Sequence, residues 1–297
     1  MGEAVGLAER VAATETNVLI TGESGVGKDV LASFIHSRSS RATRPFVKID
    51  CSTLPGDLLE AELFGYERGA FTGANEAKPG RFEAAHKGTI ALDEIAHLSI
   101  EAQAKLLRVI ETREFERLGG RNTIRLDARL IALTNVDLVE AIRRRDFRED
   151  LFYRLNVIHI RVPPLRERAD DLSKLVQHFV TLYSVKHGRN VSKVSATLLS
   201  LLQDYDFPGN ARELANIIER AVIVAKGRRL EADDLPVSVA AAVKARRQRE
   251  SPRTLAQMEA AYIAEVLTTS GGNKSECARI LGISRKNLYE KIARYKL

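Results

Sequence analysis

From Gly22 to Asp29 the chain reads Gly-Glu-Ser-Gly-Val-Gly-Lys-Asp. Glycines in such a run let backbone N–H groups converge on oxygen anions, and a helix opening directly afterwards adds its positive end. Lys28 closes a Gly-x4-Gly-Lys spacing and is placed to reach the β- and γ-phosphates of a nucleotide. Gly22, Glu23, Ser24, Gly25, Val26, Gly27, Lys28 and Asp29 are therefore candidate nucleotide-lining residues. Asp29 stands where the general pattern has Ser or Thr on a magnesium ion. The plainer alternative is a glycine-rich turn with no ligand.

Leu92-Asp93-Glu94 follows an apolar run, so its acids sit at a strand end opposite that loop. Asp93, with Asp29 beside the loop, would hold Mg²⁺, and Glu94 would orient and polarise an attacking water. Alone, an Asp-Glu pair at a strand end is as well read as solvated surface. Thr134-Asn135 ends another apolar run, where Asn135 can sense the γ-phosphate or the pair can simply end a strand. Arg148 and Arg154 can neutralise transition-state charge, in a neighbouring subunit if not in their own, or be surface arginines. Arg212 opens a later helix and either reaches the nucleotide or pairs with Glu213 or Glu219. Gly69-Ala70-Phe71-Thr72-Gly73-Ala74 reads as a mobile hairpin tip exposing an aromatic, the alternative being a packed loop with Phe71 buried.

These residues need a scaffold. Apolar runs at residues 18–20, 45–50, 89–93, 129–134 and 158–162 predict strands. Helical patterns lie between them, notably over 100–112, with Ala102, Leu106, Leu107 and Ile110 on one face. Residues 6–13 and 30–36 also read as helices. The alternation predicts an α/β fold, a parallel sheet with helices on both faces and the ligand at the carboxyl ends of the strands. Residues 1–165 would form this nucleotide-binding part. Residues 166–238 read as all-helical, with helices over 170–187, 195–205 and 211–225 and a breaker at 207–210. Residues 239–252 are small and charged and read as a linker, partly helical. In 253–297 one helix runs over 255–267, an N-cap at Asn273 opens a second, Gly282 makes a turn and Ser284 caps a third. Helix, glycine turn, helix is the helix-turn-helix arrangement, whose second helix enters the major groove.

A chain of 297 residues, 29 % charged and 44 % apolar, is long enough for about two soluble domains. It has no run of about 18 apolar residues and no signal-like N-terminus. Two distant cysteines without metal spacing, Cys51 and Cys277, fit unpaired thiols in a reducing cytoplasm. From Ala240 onward there are twelve basic and five acidic residues, an excess of seven that equals the net charge of the whole chain. A basic tail beside a balanced body points to nucleic acid, or to a basic solvated face.

Taken together, these stretches resemble the AAA+ ATPases of bacterial enhancer-binding proteins, the sigma-54-dependent activators, over nearly the whole chain. Gly69–Ala74 matches that family's sigma-contacting loop letter for letter, preceded by a matching Glu-Leu-Phe-Gly-Tyr at 62–66. Residues 22–28 look like its Walker A, 92–95 its Walker B and 134–135 its first sensor. Arg148 and Arg154 fall at its two trans-acting arginines. The stretches 163–168 and 208–214 match its lid, which makes Arg212 the second sensor. Residues 254–297 look like its Fis-type DNA-binding domain.

The resemblance implies an ATPase using ATP and Mg²⁺. It would remodel the sigma-54 RNA polymerase closed complex while bound to double-stranded DNA upstream. Ser284, Arg285, Lys286, Asn287 and Lys291 would face the DNA. The protein would be cytoplasmic, a dimer at rest and a hexameric or heptameric ring when active, with no membrane partner. Asp50 replaces the asparagine that often restrains the Walker B glutamate. A carboxylate there would repel Glu94 or share a proton with it, which puts the switch role of Asp50 in question. Phe207 stands where tryptophan is usual. Nothing precedes the ATPase part, where family members usually carry a receiver or sensory domain as in two-component systems. The chain is then a fragment, or control comes from another protein. Three other functions compete: a helix-turn-helix regulator using ATP only for assembly, a general AAA+ remodeller and a P-loop kinase.

Overall fold

The computed structural model describes residues 1–250 and 254–297, with the backbone alone for 247–250. The end of the expected linker and the first residue of the expected DNA-binding part, 251–253, lie outside the described residues. The chain divides into two units, Met1–Val239 and Ala240–Leu297.

The first unit is built on five parallel strands: β1 (Val18–Thr21), β2 (Phe46–Asp50), β3 (Thr89–Asp93), β4 (Arg129–Thr134) and β5 (Ile158–Arg161). Their order in the sheet is β2-β3-β4-β1-β5. Register is set by alternation. Leu19, Ile90, Leu92, Leu130 and Ala132 enter one buried cluster, whereas Val18, Ile20, Ala91, Ile131 and Leu133 enter the other. A slip of one residue in any strand would exchange the two sets. Helices α1 (Gly2–Ala12) and α2 (Lys28–Ser37) cover one face. The other face is covered by α3 (Gly56–Phe64), α4 (Ile100–Thr112), α5 (Leu138–Arg143) and α6 (Glu149–Leu155).

The buried face of α4 is rotated from the expected one. It presents Ala102, Gln103, Leu106 and Val109, with Leu107 and Ile110 half-buried. Gln103 is polar, which hid it from an apolar pattern. Its amide donates to Leu98 O and Asp146 O and accepts from Arg148 N–H, so it fixes the start of α6.

A helical lid follows: α7 (Ala169–Lys186), α8 (Ala196–Gln203) and α9 (Asn210–Val224) around their own core of Leu172, Val176, Leu198, Leu214 and Ile218. Phe207, at the breaker, is 1 % exposed in that core. The stretch expected as a partly helical linker is helical through Glu250, as α10 (Val237–Glu250).

The second unit contains α11 (Leu255–Thr269), α12 (Lys274–Ile280) and α13 (Arg285–Tyr295) around Ile263, Val266, Cys277, Ala278 and Leu288. Each has a side-chain cap: Thr254, Asn273 and Ser284 accept N–H bonds from their first turns, each worth about 1 kcal/mol. Both cysteines are free and buried. No helix among the described residues is long and apolar enough to cross a membrane.

Candidate active site

β1 ends at Thr21 and the chain turns sharply into the loop before α2. Gly22 has φ +154°, and a Cβ there would lie 2.6 Å from Val162 O, so glycine is required. Gly25, at φ +76°, has no room because Gly209 O of the lid lies against it. The glycines thus serve two ends, a tight exit from the sheet and close approach of the lid. The loop backbone wraps the Lys28 ammonium, which donates to Gly22 O at 2.9 Å and Glu23 O at 3.3 Å. Lys28 is 6 % exposed, and burial pushes its pKa down, opposed by Glu94 and Asp93.

Asp93 and Glu94 stand across the loop at the end of β3. Glu94 Oε1 is 3.8 Å from Lys28 Nζ, and Glu94 Oε2 accepts the Asn135 backbone N–H at 3.1 Å. Glu94 has φ +52°, a left-handed conformation that costs a residue with a side chain of order 1 kcal/mol. Asp93 Oδ1 accepts the Glu94 N–H at 3.1 Å, and Asp93 Oδ2 lies 3.2 Å from Lys48 Nζ. Asp29 is paired to the same ammonium at 3.4 Å. Lys48 was missed by the sequence reading because it looks like any solvent-facing residue of an edge strand.

A cavity of about 250 Å³ is lined by Ser24, Lys28, Asp29, Asp93, Glu94 and Arg212, among others. It adjoins an apolar cavity of about 610 Å³ lined by Met1, Val5, Phe34 and Leu175, with Gly27, Val30, Phe179 and Ala211 common to both. A charged chamber beside an apolar one matches a molecule with a polyanionic end and a flat apolar end.

The lid forms the outer wall of the loop. Gly25 O accepts N–H bonds from Ala211 at 3.0 Å and Arg212 at 3.3 Å. Asn210 is fully buried at φ +52°, and its amide donates to Glu23 Oε2 and Ser24 O, both at 3.0 Å, while accepting from Leu165 N–H at 2.8 Å. Arg168 donates to Val26 O at 2.8 Å and Arg166 grips Glu23 with two bonds. Arg166, Arg168 and Asn210 lie in stretches singled out as lid signatures, but their bonds to the loop were not legible.

Arg212 Nη1 lies 3.1 Å from Ser24 Oγ, inside the charged cavity. The alternative pairing with Glu213 or Glu219 is not what forms. Glu213 binds Tyr205 and the Gly209 N–H, and Glu219 binds Lys186 and His187.

Held first by Arg166 and then by Asn210, the Glu23 carboxyl drops from its ordinary 4.5 to about 2. A depressed carboxylate stabilises the fold above its unfolded value and loses that contribution as pH falls towards the folded one. Glu23→Gln is therefore expected to cost no more than the ~1 kcal/mol of an exposed pair at pH 7, and so to lower the melting temperature slightly. The gap to wild type should narrow as the pH drops below 4.5, which thermal melts at several pH values would read.

Two further candidates sit at the edge of this arrangement. Among the described residues, Asp50 makes no hydrogen bond to Glu94. Its carboxylate accepts from Ser52 N–H at 2.9 Å and Ser52 Oγ at 2.6 Å, which holds its pKa below the usual range. Asn135 meets Glu94 through its backbone, and the residue lines a separate cleft of about 500 Å³ with Thr21 and His159 rather than the charged cavity. Arg148 and Arg154 lie outside that cavity, paired with Asp150 and Glu111.

The 69–74 loop rises from a hairpin pairing Gly65–Tyr66 with Lys78–Pro79. It is closed by Gly69 N–H to Ala74 O at 2.8 Å. Phe71 is 41 % exposed, its ring edge-on to Tyr66 at 5.0 Å, and Thr72 is exposed. Of the two readings of Phe71, exposure is the one observed. A second hairpin, Glu114–Glu116 with Thr123–Arg125, props the loop base. Glu67 N–H donates to Leu118 O, and Arg117 bridges Glu67 and Glu83.

In the second unit Ser284, Arg285, Lys286 and Asn287 are exposed at the start of α13, with the Ser284 hydroxyl capping Asn287 N–H. Lys291, expected on the DNA face, is instead half-buried and bound to Glu259 of α11 at 2.5 Å, where Tyr295 OH also donates.

A parallel sheet with this loop, an acidic pair across from it and a helical lid closing over both define a P-loop NTPase of the AAA+ kind, carried on one chain with a helix-turn-helix. Family comparison agrees: Sigma-54 interaction domain matches residues 1–161, AAA+ ATPase lid domain 166–252, and Bacterial regulatory protein, Fis family, 254–295. The chain belongs to the sigma-54-dependent transcriptional regulators. It is 45 % identical over 294 residues to the regulatory protein AtoC of Escherichia coli K12, covering 96 % of this chain and 64 % of AtoC. It is also 45 % identical over 302 residues to the nitrogen fixation protein VnfA of Azotobacter vinelandii, covering 100 % of this chain and 58 % of VnfA. The chain thus spans under two thirds of either relative. The crystal structure of NtrX from Brucella abortus in complex with ATP superposes with a TM-score of 0.73 at 34 % identity, over 100 % of this chain and 68 % of NtrX.

Proposed function

We propose that this protein is an ATP-hydrolysing, DNA-binding activator that remodels the sigma-54 RNA polymerase closed complex to the open complex. The observation that carries the reading is one chain holding both the charged cavity around Lys28, Asp93, Glu94 and Arg212 and an exposed Phe71-Thr72 loop tip. Residues 1–165 would be the nucleotide-binding part, 166–238 the lid and 253–297 the DNA-binding domain.

The triphosphate would lie along Gly22–Asp29 with its base in the apolar cavity. Lys28 and Arg212 would neutralise the β- and γ-phosphates. The carboxylates of Asp29 and Asp93 already draw one cation between them, which fits a divalent ion. Mg²⁺ held there, mainly by Asp93, would supply charge neutralisation on the phosphate oxygens. Glu94 would accept a proton from the attacking water, and Asn135 would hold Glu94 in line through its N–H.

Arg148 and Arg154 lie outside this cavity, in exposed pairs with Asp150 and Glu111 that cost little to break. They would serve the cavity of the next subunit in a hexameric or heptameric ring, assembled from resting dimers in the cytoplasm. Hydrolysis would then move the Gly69–Ala74 loop against sigma-54. The exposed N-terminal turn of α13 would read upstream double-stranded DNA. Arg285→Ala or Lys286→Ala should weaken binding to any duplex and make the salt dependence shallower by about one unit of slope, read by titrations at several salt concentrations.

The deciding experiment is open-complex formation in vitro with sigma-54 polymerase, given ATP or a non-hydrolysable analogue. Open complex with ATP alone supports the reading. Failure to contact sigma-54 in any nucleotide state ends it. Release of phosphate to an acceptor other than water would favour a kinase.

A further inference from the structure

The two acids expected to share a divalent ion already share a cation. Lys48 Nζ, from β2, lies 3.2 Å from Asp93 Oδ2 and 3.4 Å from Asp29 Oδ2. Asp93 Oδ1 is occupied by the Glu94 N–H, so Oδ2 is the oxygen left to meet a ligand, and it is the one that Lys48 takes. Asp50, at the end of β2, accepts from Ser52 and is not ion-paired with the ammonium, which it feels only through space. Lys48 is 40 % exposed, so its stem has room to swing out.

We propose that Lys48 is a built-in counter-ion. It holds the place of the divalent cation between Asp29 and Asp93 until metal and nucleotide arrive, and it must leave for the metal to bind. The proposal rests on the reading of that acidic pair as the metal-facing one.

The physics gives two effects of opposite sign. Two carboxylates brought together repel, and an ammonium between them relieves the repulsion. A metal ion must displace that ammonium, so its apparent affinity is lowered by the pairing it breaks. A metal-free triphosphate has the reverse need, because it brings only negative charge and gains from a nearby lysine. Removing Lys48 should therefore tighten the metal and weaken metal-free nucleotide together. A general loosening of the fold would weaken both.

The test uses the full chain and a fluorescent ATP analogue, titrated against Mg²⁺ and in EDTA. In Lys48→Met the Mg²⁺ concentration giving half-maximal nucleotide affinity should fall about fivefold, the factor of a half-exposed ion pair. Metal-free affinity should weaken by about the same factor. Lys48→Arg keeps the charge and should stay within about twofold of wild type on both measures. If Lys48→Met does not fold, Lys48→Gln serves in its place. Both affinities falling together, or neither moving, overturns the proposal. The metal reading itself fails in a different way: wild-type binding indifferent to Mg²⁺, or Asp93→Asn with unchanged Mg²⁺ dependence.

Discussion

Glu94→Gln should bind ATP at least as tightly as wild type and hydrolyse it about 10²- to 10⁴-fold more slowly, the loss typical of removing a general base. Glutamine keeps the length of the side chain and an oxygen to accept the Asn135 N–H, so the left-handed turn at the end of β3 survives. What goes is the negative charge 3.8 Å from Lys28, which would strengthen the hold of that lysine on phosphate oxygens. Binding is read with a fluorescent ATP analogue and turnover by phosphate release. Full turnover in this variant would remove Glu94 from the chemistry and leave the cavity as a binding site only.

Thr72→Ala would separate the proposed ATPase from its proposed target. Thr72 is exposed on the loop tip, so its loss should change stability by no more than about 0.5 kcal/mol. The loop shares no residue with the charged cavity, and ATPase activity should stay within about twofold of wild type. Transcription from a sigma-54 promoter should fall by about tenfold or more, as at a contact where one side chain dominates. Unchanged promoter output would instead favour a DNA-bound regulator that uses ATP only to assemble.

Much of this arrangement was legible because its signals are local. Glycines at 22, 25 and 27 followed by Lys28, between a strand and a helix, point to a phosphate loop, and Asp93-Glu94 after three apolar residues implies acids at a strand end. Strand alternation sufficed for the sheet, since every β3 and β4 position from 90 to 92 and from 130 to 133 is buried. The rest depends on residues far apart in the chain. No spacing links Glu23 to Arg166 or to Asn210, or Lys48 to Asp29 and Asp93. Lys291 follows the basic pattern of its helix, yet Glu259, thirty-two residues earlier, claims it. Asp50 was judged by its place beside the acidic pair, but a short-range bond to Ser52 outcompetes that neighbourhood. Local hydrogen bonds of Asp side chains to the chain just ahead are common, and this one gives the Asp50 carboxylate a partner of its own while favouring its charged form.

The bonds from Gly25, Ser24 and Val26 to Ala211, Asn210 and Arg168 have a practical meaning for anyone dissecting the protein. A fragment cut after residue 161 would keep the whole glycine-rich motif yet lose the atoms that brace it from outside. Chimaeras that borrow a lid from another chain would import a different brace, and with it a different grip on nucleotide. Any affinity for ATP would therefore be a trait of the two segments jointly, inherited or lost as a pair.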